Sequence, residues 1–389
     1  MHRSACKISV APLTGAFELT GIFKLATKKT RNPSMKDVAR AAGVSQPAVS
    51  YAYNRPSKIS DAQRNAIFAI ARKIGYNGPN ALGRSLRSGK VGAIGVMMMD
   101  KLSLAFDDPA MIALLKGIGQ SGEFENMALT LFPLRHRGPL PESGPEEHKS
   151  LAVRGLVDGL IITTLPDDHP IISNVIDRQI PFVVVDSPKL KTANFVGIDD
   201  YAAAQTQLRH LIDLGHRKIG VLIDRLNPDG HSGYVTRERF LKSKEAVVRE
   251  RLRGYVDAAA DIGLDFRSLR IYEAGELGLT AGQAAAFNLL TSSKITAAVA
   301  TSDVMALACL KAAEDLDIEV PRKLSIIGFD DIPEAIQAGL TTIRQPMVEK
   351  GIVAAKMIIA LVNDPDQTVE PKRRLFDTRL VIRRSTATI

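Results

Sequence analysis

Residues 28–90 hold thirteen lysines and arginines against two acidic residues, Asp37 and Asp61, in a chain whose net charge is +9. Cations at this density neutralise phosphates and release the counterions condensed on a nucleic-acid duplex. The remainder opposes them, with 35 basic against 39 acidic residues over 91–389. A small basic module on a mildly acidic body is the electrostatic footprint of a phosphate-backbone binder. Charge alone leaves a merely solvated basic face as an alternative.

Other chemistries leave no trace at their required spacings. Cys6 and Cys309 are far apart and neither has a Cys or His neighbour at ligand spacing, so no disulfide framework, metal site or cofactor is expected. A Gly-rich phosphate loop, a His-Glu-x-x-His helix and a nucleophile elbow are all missing in a convincing context, which argues against an enzyme. Apolar stretches fall well short of the roughly 20 residues that span a bilayer, and a reducing cytoplasm fits best.

Three helices must position the basic charge. Ser34 with Asp37 forms a Ser-x-x-Asp cap for a first helix that ends before Gly43. Ser45 caps a second, with Pro47 in its first turn, running to about Tyr53. A third starts at Ser60, buries Ile67, Ile70, Ala71 and Ile74, and stops at Gly75. Helix, Gly turn, helix and packing helix make a helix-turn-helix, whose second helix lies in the major groove with its first residues on base edges. The first residues of this second helix suit base reading, since the Gln46 amide can pair with adenine N6 and N7, and Pro47 and Ala48 offer apolar contact to a thymine methyl.

The string Asp37-Val38-Ala39-x-x-Ala42-Gly43-Val44-Ser45-x-x-x-Val49-Ser50-x-x-x-Asn54 resembles the DNA-binding domain of the lactose-repressor (LacI/GalR) family. The resemblance implies that Gln46 and Pro47 face base edges with Tyr51 one turn on, and that Ser34, Ser45, Ser50 and Asn54 hold phosphates; Ala48 and Arg55 are further DNA-binding candidates. Tyr51 departs from the pattern, because its position is usually arginine in the family; a bidentate guanine contact is thereby lost. Tyr53 reads equally as a contact or as core. Pro79 to Arg87 resembles the family's hinge helix, with Leu86 as the apolar wedge for the minor groove. Gly78 adds a residue to the usual spacing and Gly83 replaces a better helix former, so residues 77–90 also read as a basic linker.

From Val91 onward, β-rich runs alternate with helical stretches: Ala93 to Met97, Ala128 to Phe132, Val157 to Ile162, Phe182 to Val185, Ile219 to Ile223, Ala297 to Ala300 and Leu324 to Gly328. Such alternation implies βαβ units, and about 300 residues of it imply two sheets hinged about a cleft, with ligands beyond the carboxyl ends of the strands. Fold alone suits a sugar-binding protein, a sugar enzyme or a regulator equally. Asp158-Gly159-Leu160-Ile161, Arg251-Leu252-Arg253-Gly254-Tyr255, Ser302-Asp303-x-Met305-Ala306 and Gly328-Phe329-Asp330-Asp331 resemble the same family's effector region, in family order. That resemblance implies that Arg251, Ser302 or Asp303, and Asp330 reach the ligand, with Phe106 and Asp107 from the loop after the first strand and Asp186 from a strand end. A carboxylate opposite a guanidinium fork recognises polyols or planar heterocycles. Asp186, Asp303 and Asp330 also stand where aspartate caps a helix or turn. Gly215-His216-Arg217 reads as structural, and the long charged connection Asn227 to Val248 as a lid, a partner surface or an idle excursion.

The expected architecture is therefore multidomain: an N-terminal all-α helix-turn-helix domain at 34–76, a hinge or linker at 77–90, and an α/β periplasmic-binding-protein-like effector and dimerisation domain of two parallel-sheet subdomains at 91–389. Residues 1–33 read as a disordered extension, or as upstream of a true start at Met35. The expected function is a ligand-responsive regulator, with repression the expected sense. It acts as a homodimer, or a tetramer of it, on a pseudo-palindromic operator, with a sugar or similar small polar metabolite as effector and no membrane partner. The alternative is a sugar-binding protein or enzyme with a basic appendage.

Overall fold

The computed structural model describes residues 33–78, 90–99, 102–124, 127–134, 156–364 and 370–389. The chain forms two compact units, residues 1–84 and 85–389, with the boundary inside the segment read as hinge or linker. Leu86 and the expected hinge helix at 79–87 lie outside the described residues, as do residues 1–32 of the tail.

The first unit is built from α1 (Met35–Ala42), α2 (Gln46–Asn54) and α3 (Asp61–Lys73). Their starts are set by local hydrogen bonds: Ser34, Ser45 and Ser60 accept from the amides of Asp37, Ala48 and Gln63. The Asp37 carboxylate in turn accepts from the Ser34 amide at 2.9 Å, completing the capping box. Between α1 and α2 the chain reverses at Gly43, whose φ of +65° favours glycine. Val38, Val49, Ala52, Ile67 and Ala71 form the core, with Tyr76 closing its base. Ile70 stays outside this cluster and Ile74 is only partly buried, while Phe68 packs against Tyr53. The Tyr53 ring meets Phe68 and Tyr76 edge-on at 4.9 and 5.9 Å, so Tyr53 is a core residue.

The second unit contains two sheets. The first has the order β12-β5-β4-β3-β1-β2 and is parallel throughout, formed by β1 (Ala93–Met99), β2 (Ala128–Leu134), β3 (Gly159–Thr163), β4 (Phe182–Val185), β5 (Asn194–Ile198) and β12 (Arg373–Phe376). Every residue of β1 and β3 is buried, as covering helices on both faces require. Asp158 ties their starts together by accepting from the amides of Val91, Gly92 and Ala93. The second sheet has the order β13-β11-β10-β9-β6-β8-β7, from β6 (Ile219–Ile223), β7 (Gly233–Tyr234), β8 (Arg270–Glu273), β9 (Ala297–Ala300), β10 (Ser325–Asp330), β11 (Thr341–Arg344) and β13 (Arg379–Val381). Its interior is parallel, while β7 and β13 pair antiparallel at its edges.

The chain passes between the two lobes three times. After β5 the helix Asp200–Asp213 packs into the second lobe, Leu208 and Leu211 lying with Val221 and Tyr255. After β11 the helix Met347–Asn363 returns to the first, where Ala354 and Ile358 pack against Ile94 and Val96. The third passage joins β12 to β13. Residues at these crossings belong to both lobes, which is where a hinge between them has to lie.

Candidate functional site

On α2 two faces separate cleanly. Val49 and Ala52 are buried, whereas Gln46, Pro47, Tyr51 and Asn54 are exposed and Ser50 is half-buried, at the spacing of one helical stripe. Ala48 is half-buried beside them and Arg55, exposed, follows the last turn. Asn54 donates to the Ser50 hydroxyl at 3.3 Å, aligning two polar groups along the stripe. The two cap serines differ. Ser45 accepts from the Ala48 amide at 3.3 Å, while the Ser34 hydroxyl both accepts from Asp37 and donates to its carboxylate at 2.6 Å. Ser34 is thus occupied as a cap both as donor and as acceptor, whereas among the described residues the Ser45 hydroxyl acts only as an acceptor.

In the second unit, polar groups gather beyond the carboxyl ends of the strands. Arg251, from the helix Ala246–Ala260, is buried with its guanidinium carbon 3.5 Å above the Phe329 ring. It donates to Asp200 Oδ1 at 3.1 Å and to the Thr301 carbonyl, and its Nη1 lies 3.9 Å from Asp330 Oδ1. Asp330 Oδ1 accepts from Gln345 Nε2 at 2.5 Å. The other end of that amide accepts from Lys350, which also donates to Asp186 Oδ1 at 2.7 Å. Asp186, Lys350, Gln345, Asp330, Arg251 and Asp200 therefore form one chain of contacts through the crossings from lobe to lobe. Asp186 and Asp330 hold positive φ angles of 61° and 122°, uncommon for residues with a Cβ and concentrated where sites are built.

Burial dominates the electrostatics. It holds the Asp330 carboxyl well above the usual range despite Arg251, and raises Asp224 against the hydrogen bond from Thr301. Asp108, at the cap of the helix Pro109–Gln120, is pushed up to about 6 by burial, with the charge of Asp224 adding to it. Asp303 is likewise raised to about 6 by burial. In the unfolded chain these acids ionise near 3.8, so between about pH 4 and 6 the folded state binds more protons than the unfolded state and stability falls as pH rises. These acids should pull the melting temperature down from pH 4.5 to 6.5, while His210 and His216, whose pKa burial lowers, push it up. D108N should therefore show a less downward calorimetric profile than the wild type, and identical profiles would contradict the raised Asp108 carboxyl.

The first unit matches the model of bacterial regulatory proteins, lacI family, over residues 34–80, and the second that of a periplasmic binding protein-like domain over residues 208–386. An HTH-type transcriptional regulator of Mycobacterium tuberculosis is 35% identical over 354 residues, covering 90% of this chain and 96% of that protein. The chain belongs to the LacI family. The HTH-type transcriptional repressor CytR of Escherichia coli is 30% identical over 93% of this LacI-family chain and 98% of its own. The lac repressor dimer bound to operator and the anti-inducer ONPF has the same fold, with a TM-score of 0.69 at 22% identity over 92% of this chain and 100% of that one. This LacI-family member is a transcriptional regulator with a DNA-binding domain and a ligand-binding domain. Among the described residues no helix is long and apolar enough to cross a membrane.

Of the residues that the resemblance placed in the effector cleft, Asp186, Arg251 and Asp330 come together in the network above. Ser302 caps the helix Asp303–Asp315 through the Met305 amide and donates to Asp224 Oδ1 at 3.4 Å. Asp303 faces the protein interior: it has no exposed surface and accepts from Thr342 Oγ1 at 2.6 Å and the Ile332 amide at 3.0 Å. Phe106 and Asp107 are exposed on the short helix Leu104–Asp107, and it is the next residue, Asp108, that is electrostatically coupled to Asp224 and Asp330. Sequence reasoning missed Asp108, Asp200, Asp224, Gln345 and Lys350. Asp224 carried a usable signal, since it directly follows the legible strand Ile219 to Ile223. His216 is structural as expected, its ring held by Thr296, Ser325 and the Ala387 carbonyl.

Proposed function

We propose that the chain is a repressor that binds a pseudo-palindromic operator as a cytoplasmic homodimer and is switched by a sugar or similar small polar metabolite in the cleft. The observation that carries this reading is the buried polar network through the lobe crossings. A ligand that binds it changes the preferred lobe arrangement, and linkage then shifts operator affinity. Carboxylates outnumber cations around the cleft, and Arg251 and Lys350 already have carboxylate partners, which favours a ligand rich in hydroxyl donors over an anion. The lac repressor structure, a dimer on operator with a small molecule, supports the same arrangement here.

Gln46, Pro47, Ala48, Tyr51, Ser45, Ser50, Asn54 and Arg55 form the proposed DNA-reading surface, with Leu86 its proposed minor-groove wedge. The test is a thermal-shift screen of the full chain against sugars, sugar phosphates and nucleobases, followed by operator titrations with each hit. A ligand at 100 times its dissociation constant adds about 2.7 kcal/mol of stability. A hit that leaves operator affinity unchanged overturns the proposed coupling.

Tyr51→Arg tests the reading surface directly. The substitution supplies the guanidinium fork that this position lacks, so it should move base preference toward guanine by about 1 to 3 kcal/mol while changing non-specific affinity far less. Selection of binding sites from random DNA should return different motifs for the two proteins. The same motif from both would remove Tyr51 from the reading surface.

A further inference from the structure

At the opposite edge of the second sheet lies an open cavity of about 280 Å³ lined by Arg217, Lys218, Arg270 and Lys294 together with Ser268, Ser292, Ser293 and Ile295. Arg217 and Lys218 directly precede β6, Arg270 begins β8, and Lys294 stands just before β9. The cavity therefore opens at the amino ends of the strands, about 15 Å, a strand's length, from the effector network.

Among the described residues none of these four cations meets a carboxylate, although the unit that carries them is acidic overall. Part of this charge is used locally, since Arg217 Nη1 donates at 2.9 Å to the carbonyls of Ile212 and His216, at the end of the helix Asp200–Asp213. Lys218, Arg270 and Lys294 make no such bond. Instead Arg270 is laid across the Tyr234 ring, 4.5 Å from its centre, and its Nε donates to Ser293 Oγ at 3.4 Å. Tyr234 is fixed in turn by Ser292 and Ser293, whose hydroxyls lie 2.6 and 2.7 Å from its own. Tyr234 forms β7, within the long connection Asn227 to Val248, so that excursion supplies the support on which Arg270 rests.

We propose that this cavity is a second ligand site of the regulator, taking a small phosphate-type anion. An arginine held in place by ring stacking has its fork already oriented for phosphate oxygens, lysines add point charges, and serine hydroxyls supply further donors. The volume lies at the low end of small-molecule sites, fitting an anion of a few to about a dozen heavy atoms. The site is separate from the effector network and does not rest on the reading of that cleft.

The test is calorimetric titration of the full chain with inorganic phosphate and pyrophosphate at constant ionic strength in chloride, compared with R270Q/K294Q. The basic N-terminal unit is common to both proteins, so the difference between them reports this cavity. Both residues are exposed, and R217Q and K218Q provide independent variants should the double variant fold poorly. The expected outcome is a saturable site in the wild type, tighter for pyrophosphate, whose dissociation constant rises at least tenfold in the variant. Amide exchange should slow in peptides covering residues 266–273 and 291–297. Equal binding by wild type and variants, no saturable binding, or protection confined to residues 33–78 overturns the proposal.

Discussion

Arg251→Ala should destabilise the ligand-binding domain by about 3 to 5 kcal/mol, because it removes one partner from a buried ionic network and leaves the others without compensation. Asp200 and Arg251 are both almost fully buried, Asp330 is nearly so, and Phe329 packs under the guanidinium. Water has little access to replace the lost charge, because these side chains are almost fully buried. Chemical denaturation of the full chain, followed by a probe of the second unit, should show a lowered midpoint. Arg251→Lys should recover part of the loss, since it restores charge without the fork or the stacked plane. A variant as stable as the wild type would mean that the network contributes nothing to folding, and would return Arg251 to a pure ligand contact.

Asp330→Ala should weaken effector binding by about 2 to 3 kcal/mol, roughly 30- to 150-fold, through loss of a buried hydrogen-bonding carboxyl group in the proposed cleft. Ligand-free operator binding should change little, because the residues proposed to touch DNA lie in the other unit. By linkage, the effector's influence on the operator equilibrium must move over the same ligand range. The variant also frees Gln345, which holds Lys350, so some thermal destabilisation accompanies the effect. Calorimetry with the effector found by the thermal-shift screen separates the roles. Near-wild-type affinity with a reduced melting temperature would make Asp330 a structural residue.

These two variants also mark how far the residues can be read in order. The helix-turn-helix was legible because its determinants are local. Ser34 and Asp37, Ser45 and Ala48, and Ser60 and Gln63 are each three apart, and Gly43 marks the turn by its own backbone. Strands β1, β2, β3, β4, β6, β9 and β10 were legible as apolar runs. The strands that escaped were β5, with a glycine at Gly197, and short or charged ones such as β7, β8, β12 and β13, whose order comes from a neighbour's ladder.

Local sequence could not divide the aspartates. Asp303 and Asp330 both follow or end a strand, and nothing within a few residues of either tells which joins the network through the lobe crossings. Asp303 turns inward because Thr342 and the Ile332 amide, 39 and 29 residues away, wait for its two oxygens. Gly328 makes room as well, since a Cβ there would lie 2.1 Å from Asp303 Oδ1. Lys350 is a stronger case, for a lysine on an amphipathic helix is ordinarily a solvated one. Its burial follows only when the helix Met347–Asn363 leaves the second lobe and packs on the first, bringing Nζ to Asp186 across 164 positions of chain. Capping and periodicity act within a turn or two of backbone and so survive in the order of residues, whereas the pairing of buried charges depends on which distant elements the core brings into contact.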